Sequence, residues 1–423
     1  MRYATKVILM SSGERLPVLL DNGMPVFEAN LYALSEIRGR NRASSTIIQA
    51  LHAVSVLYLF LDEHRIEIVK RLDEGILLAP HEIEALAVYC RRTKAQMIKP
   101  TKHVPEKKSH SKIFPLEKAR LRLPLHDDFE MVSSAFALTR MQYIRNYLLW
   151  LISNRIARHG VSLECRRRLQ AERDNFDKVI KARLPSGGGR KGEITGREGL
   201  DPKEQQQLLE TVTAGENSPW LDEHVRVRNE LIIRWLLYTG TRRGEALNLC
   251  IRDISFQKGE AMITRNADAP GDPRKNQPLS KTEARLIPIS DGLLAMIQKY
   301  ITDFRSKLPL ARKHNYLFVA MDGSPLSLSS YTKIFVTLRK KNLLISQTLC
   351  GHILRHSWNE NFSNLCDELR ISDEEETRWR EHLQGWKPGS GSAADYCKRK
   401  ISRQAQEAHL KLQKKFDGED YVE

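Results

Sequence analysis

Hydrophobic positions in the first thirty residues fall in two short runs, Val7–Met10 and Val18–Leu20, on either side of a polar stretch. Asp21-Asn22-Gly23 follows the second run, and Asn-Gly is a hairpin turn signal. A small β element is therefore expected over residues 1–29. From Asn30 the period changes. Ser44-Ser45-Thr46 offers a helix cap, and Ile47, Leu51, Val54, Leu57, Tyr58 and Leu61 recur at mostly three- and four-residue steps, the spacing of an amphipathic helix. Pro80 precedes another helical stretch, Ile83–Tyr89. Helical periodicity returns between Asp127 and Arg158 through Met131, Phe136, Leu138, Met141, Ile144, Leu148, Leu149 and Ile152.

Between these helices, residues 91–123 break the pattern. They hold eleven Lys/Arg against two acids, Glu106 and Glu117, with Pro100, Pro105 and Pro115 interrupting any helix. Such a run is either a solvated loop or a basic strap along a polyanion, with Lys99, Lys102, Lys107 and Lys108 as candidate DNA contacts. Ser186-Gly187-Gly188-Gly189-Arg190-Lys191-Gly192 is Gly-rich and basic, the composition of a linker. It lacks the GKS/GKT ending and preceding strand of a phosphate-cradling loop. Asp201-Pro202 then places N-cap and N1 residues in helix order.

Beyond that point the elements mix. Leu231–Tyr238 predicts an apolar helix stopping at Gly240. Ala261–Thr264 and Arg285–Ile289 predict strands, and Gly292–Phe304, Ser327–Leu338 and Ile353–Leu365 predict helices. The expected fold class is mainly α with small β-sheets. A helical first domain (residues 30–185, with the basic insertion 91–123) is followed by a linker (186–199). A second, mostly helical α+β domain with a small sheet (200–402) and a C-terminal helix with an acidic tail (403–423) complete the plan.

Composition narrows the function. The 423 residues carry 68 Lys+Arg against 52 Asp+Glu, a formal charge of +16, and 41% hydrophobic residues. That is globular rather than disordered, and strongly basic, so nucleic acid is the first partner to consider. No apolar run reaches the roughly 18 residues of a membrane span, and no secretory signal pattern opens the chain. Six scattered cysteines without CxxC spacing argue against a disulfide framework or a cysteine zinc site. A cytoplasmic location, with no membrane partner, is the expectation.

Four patches in the second half carry chemistry. Thr239-Gly240-Thr241-Arg242-Arg243-Gly244-Glu245 starts a new helix, with Arg242 and Glu245 three apart, and a guanidinium fork suits a phosphate. Lys281 precedes the strand at Arg285–Ile289, where a turn ammonium can reach a phosphate and release a proton. His352 and Arg355 lie three apart on one helical face, a proton acceptor beside an anion clamp. His356 stands four after His352, but no carboxylate occupies the HExxH position, so no metal is expected. Gln384-Gly385-Trp386 is followed ten residues later by Tyr396 across a small-residue loop. Each patch alone is weak. RxxE is usually a surface ion pair, a turn lysine is usually solvated, and a lone Trp or Tyr is usually packing.

Taken in order, these patches resemble the tyrosine recombinase (phage integrase) family, over about Leu200 to Ile401. On that resemblance, Arg242 in TGTRRGEAL is the first arginine and Glu245 the acid supporting it. Lys281 is the hairpin lysine, with Lys275 a second candidate because the turn is short. His352 and Arg355 form the HxxR box. Trp386 takes the His-or-Trp position, and Tyr396 is the nucleophile. Tyr316–Val319, followed by Gly323 and Pro325-Leu326-Ser327, looks like the strand and turn before the second box. The resemblance makes 200–402 the catalytic integrase domain and the helices of 30–185 a helical N-terminal core-binding, DNA-binding domain; this first half is less diagnostic, because the basic insertion and the β element depart from the simplest family pattern.

The resemblance implies a site-specific recombinase or integrase that needs neither metal nor ATP, so no cofactor is expected. It would cleave and rejoin DNA strands through a 3′-phosphotyrosine, in the service of a mobile genetic element. Its partners would be double-stranded DNA with specific recombination sites and further copies of the chain, a dimer on one site and a tetramer in the synapse, with room for accessory proteins. Ala408, Leu410 and Leu412 offer a thin apolar seam for docking a C-terminal helix on a neighbour. Two alternatives stand beside this expectation, a type IB topoisomerase-like enzyme and a non-catalytic DNA-binding protein.

Overall fold

The computed structural model describes residues 2–98, 131–185, 199–213, 218–265, 267–278, 282–341, 346–387, 389, 405–406 and 408–416. The chain divides into two compact units, Met1–Leu9 with Arg15–Glu193, and Met10–Glu14 with Ile194–Glu423. Two three-stranded antiparallel sheets accompany a majority of helices among the described residues.

In the first unit, β1 (Tyr3–Leu9) and β2 (Arg15–Asp21) pair antiparallel from Tyr3↔Asp21 to Leu9↔Arg15. The Asn22-Gly23 turn joins β2 to the short β3 (Met24–Pro25), not β1 to β2. Both turn residues have positive φ, 46° and 94°, which Asn and Gly tolerate best. Helix α1 (Phe27–Tyr32) is tied to β2 by Asn30, whose amide accepts from Leu19 N at 2.7 Å and donates to Leu19 O at 2.9 Å.

Helix α2 (Ser44–Glu63) is the spine of this unit, packing on the sheet and on a later helix, Ser134–Ala157. Its N-cap is Ala43 rather than Ser44, and no side chain caps it; Ser44 is already helical and buried. By length and composition α2 is apolar enough to cross a membrane, yet Ile47, Leu51, Val54, Leu57 and Phe60 lie fully or almost fully buried in the core. Two short helices follow, α3 (Ile68–Asp73) and α4 (Pro80–Tyr89), the latter with Pro at N1 and Glu82 accepting the Ala79 N–H. Next come α5 (Lys94–Ile98), α6 (Ser134–Ala157) and α7 (Leu163–Ala182). Helix α7 has no counterpart in the hydrophobic periodicity, because only Leu169, Phe176 and Ile180 of its twenty residues are buried.

In the second unit, α8 (Pro202–Thr213) and α9 (Glu223–Thr239) lead into α10 (Arg243–Asn248). The second sheet runs β4 (Ile254–Ser255), β5 (Glu260–Ile263) and β6 (Arg285–Pro288), with Ile263 opposite Arg285. Then come α11 (Asp291–Lys299), α12 (Leu328–Lys341), α13 (Gly351–Glu368) and α14 (Asp373–Gln384). The segment Tyr316–Val319, expected as a strand, makes only single bridges, Cys250↔Tyr316 and Val319↔Pro325. Helix α9 packs on α13, α8 and α11, while α14 rests on β6. These contacts bring the ends of α9, β6, α13 and α14 together. In the C-terminal stretch, Leu410, Leu412 and Phe416 are exposed. The expected linker up to residue 198, the basic insertion from residue 99 on, and the acidic tail lie outside the described residues.

Candidate functional site

The site begins where α9 stops. Gly240 takes a left-handed conformation, φ 61°, and a Cβ there would sit 2.6 Å from the Trp358 ring. Glycine is thus required twice, for the turn and for the close approach. The reversal is clamped by Thr239 Oγ1, which donates to Trp235 O at 2.6 Å, and by Trp358 Nε1, which donates to Tyr238 O at 3.1 Å. The Gly240 carbonyl accepts from Arg355 Nη1 at 2.5 Å. One carbonyl thereby fixes the buried guanidinium of α13 beside the start of α10.

Arg242 is extended and stands just before α10. Its relation to Glu245 is a cap rather than two positions on one helical face: Arg242 N donates to Glu245 Oε2 at 2.9 Å. The Arg242 guanidinium is a longer 3.5 Å from Glu245 Oε1, and 3.5 Å from the Gln384 carbonyl at the end of α14. Its side chain keeps 32% of its surface accessible, so the fork is held from behind and open in front.

Glu245 belongs mainly to another residue. Arg285 Nη2 lies 2.9 Å from Glu245 Oε2, and Thr282 Oγ1 donates to Oε1 at 2.5 Å. Burial opposes ionisation most strongly here, but Arg285, Thr282 and the Arg242 N–H together hold the carboxyl below its usual range. Arg285 sits at an inward position of β6, two before Ile287, where a strand pattern normally places an apolar side chain. It also donates to Leu383 O at 2.6 Å, fastening the end of α14. There Gly385 adopts φ 61°, and a Cβ would come within 2.9 Å of Arg285 Nη1. Trp386 follows, buried, its backbone N–H donating to Glu381 O at 2.9 Å.

Arg355 closes the circuit. It is only 3% exposed, and its Cζ lies 5.4 Å from the centroid of the Trp386 ring, within cation–π range. Arg242, Gln384, Trp386, Arg355 and Gly240 therefore form a continuous chain of neighbours. His352 stands exposed on the first turn of α13, with its Nε2 3.0 Å from Nε2 of His356. Beneath the site Arg380 is fully buried and paired with Glu376, and it donates to Asn359 Oδ1 at 3.1 Å. The Arg380–Asn359 bond fixes α14 to α13.

Arg242, Glu245, Arg355 and Trp386 are thus gathered, with His352 one helical turn from Arg355. Lys281, Tyr396 and the four strap lysines (Lys99, Lys102, Lys107, Lys108) lie outside the described residues. Lys275 is exposed. Sequence reasoning does not single out Arg285 or Thr282; an arginine at the first residue of a strand, in register with inward positions, is the available signal. Among the described residues no cluster of three or more His, Cys, Asp or Glu side chains is arranged to hold a metal.

The arrangement defines a class: a mainly helical domain that presents paired guanidiniums and an indole, held by a buried carboxylate, as a cradle for an anion. Residues 198–366 match the model of the phage integrase family. The match ends before Trp386 and Tyr396. The chain is 27% identical over 178 residues to a tyrosine recombinase XerD of Halalkalibacterium halodurans, covering 41% of this chain and 54% of that protein. It is 30% identical over 159 residues to a tyrosine recombinase XerD of Chlamydia trachomatis serovar D, covering 37% and 47%. The chain thus spans about half the length of the curated relatives it matches. Among solved structures, a lambda integrase dimer bound to a COC′ core site is 14% identical with TM-score 0.47, covering 88% of this chain and 76% of that one. XerA recombinase is 16% identical with TM-score 0.36, covering 90% and 98%.

Proposed function

We propose that the chain is a site-specific tyrosine recombinase of integrase type, which cleaves and rejoins double-stranded DNA for a mobile genetic element. The observation that carries this reading is the closed circuit from Arg242 through Gln384 and Trp386 to Arg355. It brings two guanidiniums from distant parts of the sequence to one place, each against a backbone carbonyl, Gln384 O for Arg242 and Gly240 O for Arg355.

The chemistry follows from that cradle. The Tyr396 phenol attacks a scissile phosphate, forming a phosphotyrosyl ester as the bond to the 5′-oxygen breaks. A phenol with a pKa near 10 is a poor nucleophile at neutral pH. His352, exposed one turn from Arg355, takes its proton. Lys281 protonates the departing 5′-oxygen. Negative charge growing on the equatorial oxygens is met by Arg242 and Arg355, donors already in place before the reaction. The ester conserves the bond energy, and attack by another strand's 5′-hydroxyl completes exchange. Copies of the chain assemble as a dimer on one site and a tetramer in the synapse. The basic strap neutralises further phosphates. Replacing Lys99, Lys102, Lys107 and Lys108 with neutral residues should therefore flatten the salt dependence of DNA binding, by about 0.9 in slope for each phosphate no longer neutralised. An unchanged slope rejects that role.

A suicide duplex carrying candidate element ends tests the reaction. Wild type should yield a denaturation-resistant protein–DNA adduct, and Tyr396→Phe should yield none. Undiminished biological activity of Tyr396→Phe would instead indicate a DNA-binding protein without catalysis.

A further inference from the structure

His352 and His356 are one turn apart on α13, the spacing that sets two histidines on one helical face in zinc-binding helices. Their rings meet at 4.4 Å between centroids and 73° between planes, with the two Nε2 atoms 3.0 Å apart. In this state one ring donates its N–H to the lone pair of the other. We propose that the pair is also a two-nitrogen binding site for a divalent transition-metal ion of the copper or nickel type. This is not a resident cofactor site. The ion would be an exogenous ligand that competes with the hydrogen bond.

The geometry selects the ion. An ion about 2.05 Å from each nitrogen, spanning this separation, subtends an angle of about 94°. That is close to the 90° between neighbouring ligands in octahedral or square-planar coordination, and below the tetrahedral angle zinc prefers. Copper and nickel also stand high in affinity for imidazole nitrogen. For the ion to enter, the donating ring moves its N–H from Nε2 to Nδ1. The rings then turn so that both Nε2 lone pairs converge on the metal, and no proton is lost overall. Because His352 is exposed, water completes the coordination shell. One consequence rests on the proposed function: an ion held here occupies the lone pair that His352 would use to accept the Tyr396 proton. Binding itself rests only on the pair.

Calorimetric titration of the full chain with Ni²⁺, and electron paramagnetic resonance of the Cu²⁺-loaded chain, test the site. Wild type should show a site with two equatorial nitrogen ligands. His352→Ala and His356→Ala should each weaken it by at least about tenfold, since loss of a direct ligand costs no less than loss of an outer-shell partner. Zn²⁺ should bind more weakly than Ni²⁺. His356→Gln, which preserves bulk and a hydrogen bond, guards against misfolding and should weaken the site to the same degree. Absence of the site in wild type, or its loss in only one of the two alanine variants or in neither, overturns the proposal. A chain that makes no DNA adduct in metal-free buffer would count against the proposed function and leave the metal site standing.

Discussion

The two units bury different chemistry. In the first, the core is aliphatic and aromatic, built around α2 and α6, and the buried charged residues among those described are Arg15 and Arg140. Arg140 is satisfied by two backbone carbonyls, Cys90 O at 2.9 Å and Arg92 O at 2.7 Å. The second unit buries Arg228, Glu245, Asp272, Arg274, Arg285, Arg305, Arg355, Glu376 and Arg380. Taking a charge out of water costs several kcal/mol per ion, so such a core is a poor route to stability alone. What it provides is rigidity of direction. A guanidinium pinned by carbonyls and a buried carboxylate cannot relax when an anion arrives, which is the condition for preorganised electrostatic stabilisation. The first unit is built to stay folded, and the second also to hold charges still.

Four experiments break or sharpen this contrast, from the largest effect to the smallest. Glu245→Gln leaves the Arg285 guanidinium without a counter-charge and should cost about 3–5 kcal/mol in urea unfolding; a loss under about 1 kcal/mol would mean that the carboxylate is dispensable. The same variant should change the acid response. The folded-state pKa of Glu245 is lowered, so its contribution is present above the unfolded value of about 4.3 and fades as pH falls through the folded value. Stability should therefore decline less on acidification in Glu245→Gln than in wild type. Next, Arg355→Ala should slow adduct formation on the suicide duplex by roughly 10²–10³-fold, about 2.7–4 kcal/mol of barrier; a wild-type rate would remove Arg355 from the cradle. Third, Ile144→Val in the first unit trims a fully buried side chain and should cost about 0.5–1.5 kcal/mol of stability. Adduct rate at fixed folded protein should not change, which separates packing from charge placement. Last, Glu164→Ala removes an exposed i,i+4 pair with Arg168 and should cost no more than about 0.5 kcal/mol.

What is legible in the sequence is whatever obeys a period or a spacing. The helices through Ile47–Leu61 and Met141–Ile152 announce themselves by apolar recurrence, because burying one face drives their formation. Helix α7 does not, since its charged residues conceal a narrow stripe of three buried side chains. Arg242, His352, Arg355 and Trp386 stand out through their order in the chain. Their supports do not. Arg285 reads as an ordinary strand residue until β5 and β6 are paired and its side is known. The role of Glu245 is obscured for the same reason: i,i+3 spacing suggests Arg242 as its partner, whereas the shorter side-chain contacts come from Thr282 and Arg285, 37 and 40 positions away. Local spacing reveals local pairs, and a partner brought in by tertiary structure leaves no periodic trace.

The meeting of Arg285 with Glu245 has a historical consequence. One carboxylate serves the first turn of α10, the start of β6 and, through Arg285, the end of α14. Losing either member alone strands the other, but replacing both with neutral residues of matching shape removes the penalty of an unpaired buried charge. Descendants of this gene should therefore alter the two positions in concert or keep both, and drift that is free at neighbouring surface sites should be halted here.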